Sequence, residues 1–264
     1  TLSYGAHTFL CADTIFAHGT DSHRERYLPK LISGEWIGCM GLTEPGAGSD
    51  VAVVYAKTDK DLKHAGISAF IVEKGTPGFS AGKNLVKMGV RSSHTSELVF
   101  QDCQIPQENL LGQEGAGFNM AMQTVEWDRS TIMAPFVGGM AYALKRCLAY
   151  AKERCQFGRP IAEYQAIKHK LANIKIFIEA ARSLIYRIAW CKDQGRPLNH
   201  LEAAVAKLFI GDWSLGPAND AVTLHGGYGY CHEYDVERNF RDSRLAPIGG
   251  GTSEITKRII AKLI

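Results

Sequence analysis

The sequence predicts a multidomain α+β chain: a short helical start, a β segment in the middle and a long helical bundle at the end. Two textural changes and the overall size carry this prediction. Across residues 37–111, short β-branched and aromatic runs are separated by Gly, Pro, Asp and Ser turns. From residue 118 onward, apolar residues recur at helical spacing over long stretches. With 264 residues, 45% apolar and 22% charged, the chain is long enough for one large core or two moderate ones.

The elements follow in order. Leu10, Ile15, Phe16, Tyr27 and Leu28 lie at mixed helical spacing with Gly19 between two segments, which predicts two short helices. Ala52-Val53-Val54-Tyr55-Ala56, Ser68-Ala69-Phe70-Ile71-Val72 and Glu97-Leu98-Val99-Phe100 predict strands. Phe118, Met122 and Val125 mark a first helical stripe. Ile167, Leu171, Ile174, Ile178, Ile185 and Ile188 mark a second, and Leu201, Val205, Leu208 and Trp213 a third. Thr252 or Ser253 caps a last helix with Ile255, Ile259 and Leu263 as its expected inner face. Together the stripes predict the core of an antiparallel bundle. The expected domains are residues 1–36, 37–112 and 113–264.

Composition excludes several classes. A net charge of +3, with no basic block interleaved with aromatics, argues against a nucleic-acid track. The 7 cysteines are odd in number, scattered and never in C-x-x-C spacing, so reduced thiols in a reducing compartment are expected, with no disulfide framework and no metal site. No apolar run is long enough to span a bilayer. The start, Thr1-Leu2-Ser3-Tyr4-Gly5, has no signal-peptide pattern and no initiator Met, as expected of a chain whose N-terminal portion is missing.

Three glycine-rich segments stand out: Leu42-Thr43-Glu44-Pro45-Gly46-Ala47-Gly48-Ser49-Asp50, His225-Gly226-Gly227-Tyr228-Gly229-Tyr230 and Ile248-Gly249-Gly250-Gly251-Thr252-Ser253-Glu254. Glycine allows close backbone approach, and N–H groups in such turns hold phosphate or ring oxygens. None follows the strand–GxGxxG–helix pattern, and G-K-[ST] is absent, so neither a nicotinamide fingerprint nor a P-loop is supported. Taken singly, each is equally a turn or a helix cap.

Their order is more specific. Together with Gly66-Ile67-Ser68-Ala69-Phe70-Ile71-Val72, Lys87-Met88-Gly89-Val90-Arg91-Ser92-Ser93-His94-Thr95, Arg154-Cys155-Gln156-Phe157-Gly158-Arg159 and Gln165-Ala166-Ile167, they resemble the acyl-CoA dehydrogenase family over essentially the whole chain. The resemblance implies a helical N-terminal domain, a β-barrel-like middle domain and a C-terminal four-helix bundle around FAD, assembled as a homotetramer or dimer. It also implies an acyl-CoA substrate, electron-transfer flavoprotein as acceptor, and a bacterial cytoplasm or mitochondrial matrix. Family members carry several tens of residues more between Asp50 and Val53, including a Trp-Ile-Thr strand, so a gap is expected near residues 51–52.

Carried over by resemblance, Met40, Leu42 and Thr43 line the flavin ring, and Ser49 and Ser93 meet the thioester arm and the CoA channel. Arg154, Gln156 and Phe157 reach the FAD of a neighbouring subunit, where a guanidinium suits a pyrophosphate. Gln165 is another FAD contact, Gly226 and Gly227 admit the adenosine side, and Thr252 and Glu254 follow the active-site loop. Arg129 lies beneath the active site. Thr223 stands where Gln is usual, which removes that contact.

The implied reaction takes a proton from one substrate carbon and a hydride from another, so it needs a positioned carboxylate and donors for the thioester carbonyl. The family usually places a glutamate where this chain has Gly250. A subset, including the isovaleryl type, places it on a helix immediately before the arginine matched by Arg129, and that position is Asp128 here. Asp13, on a helix resembling the one that lines the acyl pocket, is a second candidate. Acids at two places predict a cyclic (cyclohexane- or cyclohexene-carboxyl) or branched acyl group. Two other readings keep the fold: a flavin monooxygenase or oxidase, and a catalytically silent scaffold.

Overall fold

The computed structural model describes residues 2–41, 50–197 and 199–264. Two compact units are present: residues 1–87 with 91–128, and residues 88–90 with 129–264.

In the first unit, α1 (Leu2–Gly5) continues through a π-helical stretch, Ala6–Ala12, into α2 (Asp13–His18). Then α3 (Asp21–Ser33) starts at Thr20, whose hydroxyl accepts from His23 N while His23 Nδ1 accepts from Thr20 N. This reciprocal cap satisfies two otherwise orphaned donors. Gly34, at φ 75, ends the helix in the left-handed conformation that glycine adopts without steric cost.

The strands follow: β1 (Gly38–Gly41), β2 (Val51–Lys57), β3 (Ile67–Glu73), β4 (Phe79–Ala81), β5 (Leu98–Phe100) and β6 (Leu110–Leu111). Four of them form a sheet in the order β1-β2-β3-β6, parallel between β1 and β2 and antiparallel elsewhere, while β4 pairs with β5. Val53 faces Ile71 in register. Parallel neighbours ordinarily need a crossover of a dozen or so residues, yet only residues 42–50 join β1 to β2. The core of this unit gathers Cys11, Ile15, Tyr27, Leu31, Val53 and Ile71. Burying each large side chain contributes about 1.5–3 kcal/mol. The helix α4 (Gly117–Thr131) begins hard against β3: a Cβ on Gly117 would lie 2.6 Å from the Ser68 carbonyl carbon.

The second unit contains α5 (Ala134–Glu153), the two-residue strands β7 (Cys155–Gln156) and β8 (Arg159–Pro160), α6 (Gln165–Asp193), α7 (His200–Trp213), α8 (Leu215–His225), α9 (Asp235–Ser243) and α10 (Ser253–Leu263). α5 packs on α6, α8 and α9, while α7 packs on α6 and α10. Met88–Val90 belongs here because α9 grips it. Arg241 Nη1 donates to Met88 O at 2.7 Å, and Asp242 Oδ1 accepts from Val90 N at 2.5 Å. Val90 is held at φ 48, a strained conformation for a β-branched residue.

The helical stripes are partly corrected. On α6, Ile174, Ile178 and Ile188 are buried, while Ile167, Leu171 and Ile185 are half-buried. On α4, the expected Phe118, Met122 and Val125 are half-buried, and the buried face is Met120, Ala121, Thr124 and Asp128. On α7, Val205 (38%) and Trp213 (67%) of the expected stripe are exposed while Leu201 and Leu208 are half-buried, and the inner face is Ala203, Ala204, Ala206, Lys207, Ile210 and Gly211. The small residues permit close approach: a Cβ on Gly211 would meet Ala246 O at 3.0 Å. On α10, Ile255 and Leu263 are exposed and Ile259 half-buried, while Ser253 and Thr256 are buried. No helix among the described residues is long and apolar enough to cross a membrane.

Candidate functional site

In the first unit, α4 crosses the start of α2. Thr14 Oγ1 and Thr124 Oγ1 are 3.1 Å apart, and the rings of Phe9 and Trp127 meet edge-on at 6.4 Å. Both candidate acids flank this crossing: Asp13 precedes Thr14, and Asp128 follows Trp127 one turn after Thr124. Asp128 is 3% exposed, whereas Asp13 is half-buried. Tyr55 of β2, not anticipated from sequence, brings its hydroxyl beside the same threonines, and burial pushes its phenol up to about 12. Met40 is half-buried on β1, opposite Val53. Ser93 is half-buried, and its carbonyl accepts from Lys87 Nζ at 2.5 Å. The expected flavin and substrate contacts Leu42, Thr43 and Ser49 lie outside the described residues.

In the second unit, residues 249–251 form a loop held by two cations. Arg129 Nε donates to Gly250 O at 3.0 Å, and Lys207 Nζ donates to Gly251 O. Gly250 takes φ 68; an added Cβ would lie 3.7 Å from Arg129 Cγ and 3.9 Å from Ile132 Cγ2, both ordinary contacts. Space for a side chain exists there, and the backbone conformation is what disfavours one. Thr252 caps α10 by accepting from Ile255 N at 3.3 Å. Hydrogen bonds from the Glu254 backbone N–H and from Thr252, followed by the Lys257 charge, hold the Glu254 carboxyl below the usual range.

The same unit contains a cavity of about 710 Å³ whose lining includes Arg154, Gln156, Phe157, Gly226, Gly227 and Tyr228. Sequence alone placed all but Tyr228 at a cofactor. Phe157 and Gly158 form the tip of the β7–β8 hairpin at φ 52 and 81, the pair of positive values that a two-residue turn of this hand requires. Glycine suits that conformation and phenylalanine is strained in it, so Phe157 is held out, 94% exposed. Tyr164 Oη braces the hairpin by donating to Gln156 O at 2.8 Å. The Arg154 guanidinium carbon lies 5.9 Å from the Tyr228 ring centroid.

Behind the cavity, His225 stacks on Tyr150 at 4.4 Å and its Nδ1–H donates to Ala221 O at 2.9 Å; burial lowers its pKa. His225 lies in a glycine-rich segment already singled out in the sequence, whereas Tyr150 gave no sequence signal, because it comes from the distant α5. Gln165 opens α6 but does not line the cavity, and the Thr223 hydroxyl is engaged with Asn219 O at 2.8 Å. Gly226, at φ 61, and Gly227 would each meet nothing within 4 Å if given a Cβ, leaving their backbone open to a ligand. Arginine, aromatic faces and open glycine backbone fit the adenosine diphosphate half of a dinucleotide.

The chain thus combines a helical bundle, carrying a cavity with nucleotide-binding chemistry, with a second unit built on a small sheet, an α+β architecture. Three family models cover the chain in order: the acyl-CoA dehydrogenase N-terminal domain over residues 1–35, the middle domain over 50–103 and the C-terminal domain over 115–264. The chain therefore belongs to the acyl-CoA dehydrogenase family, whose cofactor is FAD and whose enzymes are oxidoreductases acting on CH–CH groups.

Among its relatives, the short-chain-specific acyl-CoA dehydrogenase of Megasphaera elsdenii is 39% identical over 286 aligned positions, covering 96% of this chain and 74% of that protein. The mitochondrial isovaleryl-CoA dehydrogenase of Oryza sativa is 39% identical over 292 positions, covering 99% and 71%. The structure of butyryl-CoA dehydrogenase from M. elsdenii superposes with a TM-score of 0.94 at 38% identity, over 99% of this chain and 76% of that one. Both alignments are longer than the 264 residues here, so these relatives have positions inside the aligned region that this chain lacks. The short β1–β2 connection is in keeping with that.

Proposed function

We propose that this protein is an FAD-dependent dehydrogenase that forms a C=C bond in a branched or cyclic acyl-CoA, of the cyclohexane- or cyclohexene-carboxyl type, with Asp128 as base. The observation that carries this is Asp128 itself, a carboxylate 3% exposed at the residue before Arg129, in a chain that has Gly250 where the family usually has a glutamate. A carboxylate kept from water accepts a carbon-bound proton in a site where developing charge is poorly screened. Asp128 Oδ would take the proton. Aspartate is one methylene shorter than glutamate, which favours a substrate whose acidic carbon comes close, as in a ring or a branch.

Asp13, beside Thr14, would serve a second carbon at the far end of a compact acyl group. Ser49, Ser93 and Arg129 would line the substrate's path, and Gly250 would leave it room. The chemistry FAD supplies when bound is acceptance of a hydride. Met40, Leu42 and Thr43 would contact its ring; Thr252, Glu254 and Gln165 would add contacts. Arg154, Gln156 and Phe157 would hold the pyrophosphate of a neighbouring subunit's FAD, and Gly226 and Gly227 would admit the adenosine side of the cofactor.

Since Phe157 projects into solvent on a braced hairpin, it suits the completion of a neighbouring subunit's cofactor site in a homotetramer. Electron-transfer flavoprotein would reoxidise the enzyme. The test is anaerobic flavin bleaching by straight, branched and cyclic acyl-CoAs in wild type, Asp13→Asn and Asp128→Asn. Bleaching by branched or cyclic thioesters that disappears in Asp128→Asn is expected. Wild-type bleaching in both variants refutes the assignment.

A further inference from the structure

Lys207 has no exposed surface, yet it lies on an α7 face otherwise made of alanine, isoleucine and glycine. Burying an ammonium costs far more than filling the same space with methionine or leucine. Its donors are directed at the active-site loop: Nζ donates to Gly251 O and, at 3.4 Å, to Pro247 O. Arg129 Nε takes the intervening Gly250 carbonyl at 3.0 Å. Burial pulls the Lys207 pKa below its ordinary value; Asp212 opposes that shift, Arg129 adds to it and Glu254 opposes it.

The carbonyl and the following N–H of a trans peptide point in opposite directions. Turning the Gly250 and Gly251 carbonyls onto the two cations therefore turns the N–H groups of Gly251 and Thr252 away from them. Gly250 and Gly251 follow at φ 68 and 105, conformations open to glycine among many others, so the two hydrogen bonds select them. Thr252 then caps α10, and Ser253 Oγ donates to Asp212 Oδ1, which fixes the far end of the same loop to α7.

We propose that Lys207 is a positioning residue which, with Arg129, sets the peptide orientation of residues 250–252 in the active-site loop. This rests on the reading that the loop borders the acyl group. Lys207→Met keeps the bulk and removes the donors; Lys207→Gln keeps an amide donor on a shorter stem. Two measurements on the FAD-loaded enzyme separate positioning from simple support: amide exchange of peptides spanning residues 247–256, with α7 and α5 as folding controls, and anaerobic flavin reduction split into limiting rate and apparent Kd.

In Lys207→Met, exchange in the loop should rise about tenfold with the controls unchanged. The limiting rate should fall about tenfold or more while apparent Kd moves by less than about threefold. Lys207→Gln should fall between. Wild-type exchange and rate in Lys207→Met overturn the proposal. If that variant does not fold, Lys207→Gln decides in the same way, faster loop exchange with slower reduction supporting it and wild-type values overturning it. Failure of every thioester to reduce the wild-type flavin would refute the proposed function instead, and loop exchange would still decide the role of Lys207.

Discussion

Installing a carboxylate at residue 250 tests both the geometry of the loop and the placement of the base. An added Cβ would sit at 3.7 and 3.9 Å from its nearest neighbours, so Gly250→Glu faces no clash at its first atom. What it meets is the backbone: φ 68 lies in the left-handed region, which costs an L-residue about 1–2 kcal/mol. For a protein of this size that corresponds to a fall in Tm of roughly 2–8 °C by differential scanning calorimetry. The carboxylate would also stand near the Arg129 side chain, which offsets part of the loss.

In an Asp128→Asn background, Gly250→Glu should restore flavin bleaching and shift preference towards straight-chain thioesters, because the base now approaches from the loop. Anaerobic stopped-flow absorbance reads both effects. A destabilisation above about 4 kcal/mol would mean that the loop has no room, since strain of this kind costs only about 1–3 kcal/mol. A double variant no more active than Asp128→Asn alone would refute the equivalence of the two positions.

Arg154→Ala should weaken FAD retention about 10- to 100-fold, the loss of a charge-assisted contact worth about 1.5–3 kcal/mol, measured by flavin fluorescence on dilution. Phe157→Gly should relieve the strain at φ 52 and raise stability by about 1 kcal/mol while lowering FAD retention, so calorimetry and fluorescence should move in opposite directions. His225 has its pKa lowered by burial, so below the ordinary histidine value of 6.5 the unfolded chain binds protons that the folded one resists. Its contribution therefore makes stability fall as pH drops through 6.5 towards the lowered folded value, and above 6.5 the penalty is absent. His225→Phe, which keeps a ring against Tyr150, should flatten that acid slope in urea titrations between about pH 5 and 8. An unchanged slope would assign the acid sensitivity elsewhere, His18 being the other histidine lowered by burial.

By itself the sequence determined the order of architecture, because strand and helix preferences are local, and its motifs, through their resemblance to a family, pointed to the segments proposed to contact the cofactor. Strand runs such as residues 68–72 and the Phe157-Gly158 tip carry their conformational preference in adjacent residues. The sequence also placed Asp128 next to Arg129 and Gly250 where a glutamate is usual. It did not determine which face of α7 or α10 is inside. Hydrophobic periodicity selects the bulkiest apolar stripe, whereas close helix packing selects the smallest side chains, and on α7 the alanines and Gly211 prevailed over Val205 and Trp213. The burial of Lys207 followed from that reversal. Only the tertiary structure brought residues 129, 207 and 247–251 together, because the carbonyls that hold the two cations exist as a binding set only after three distant segments pack.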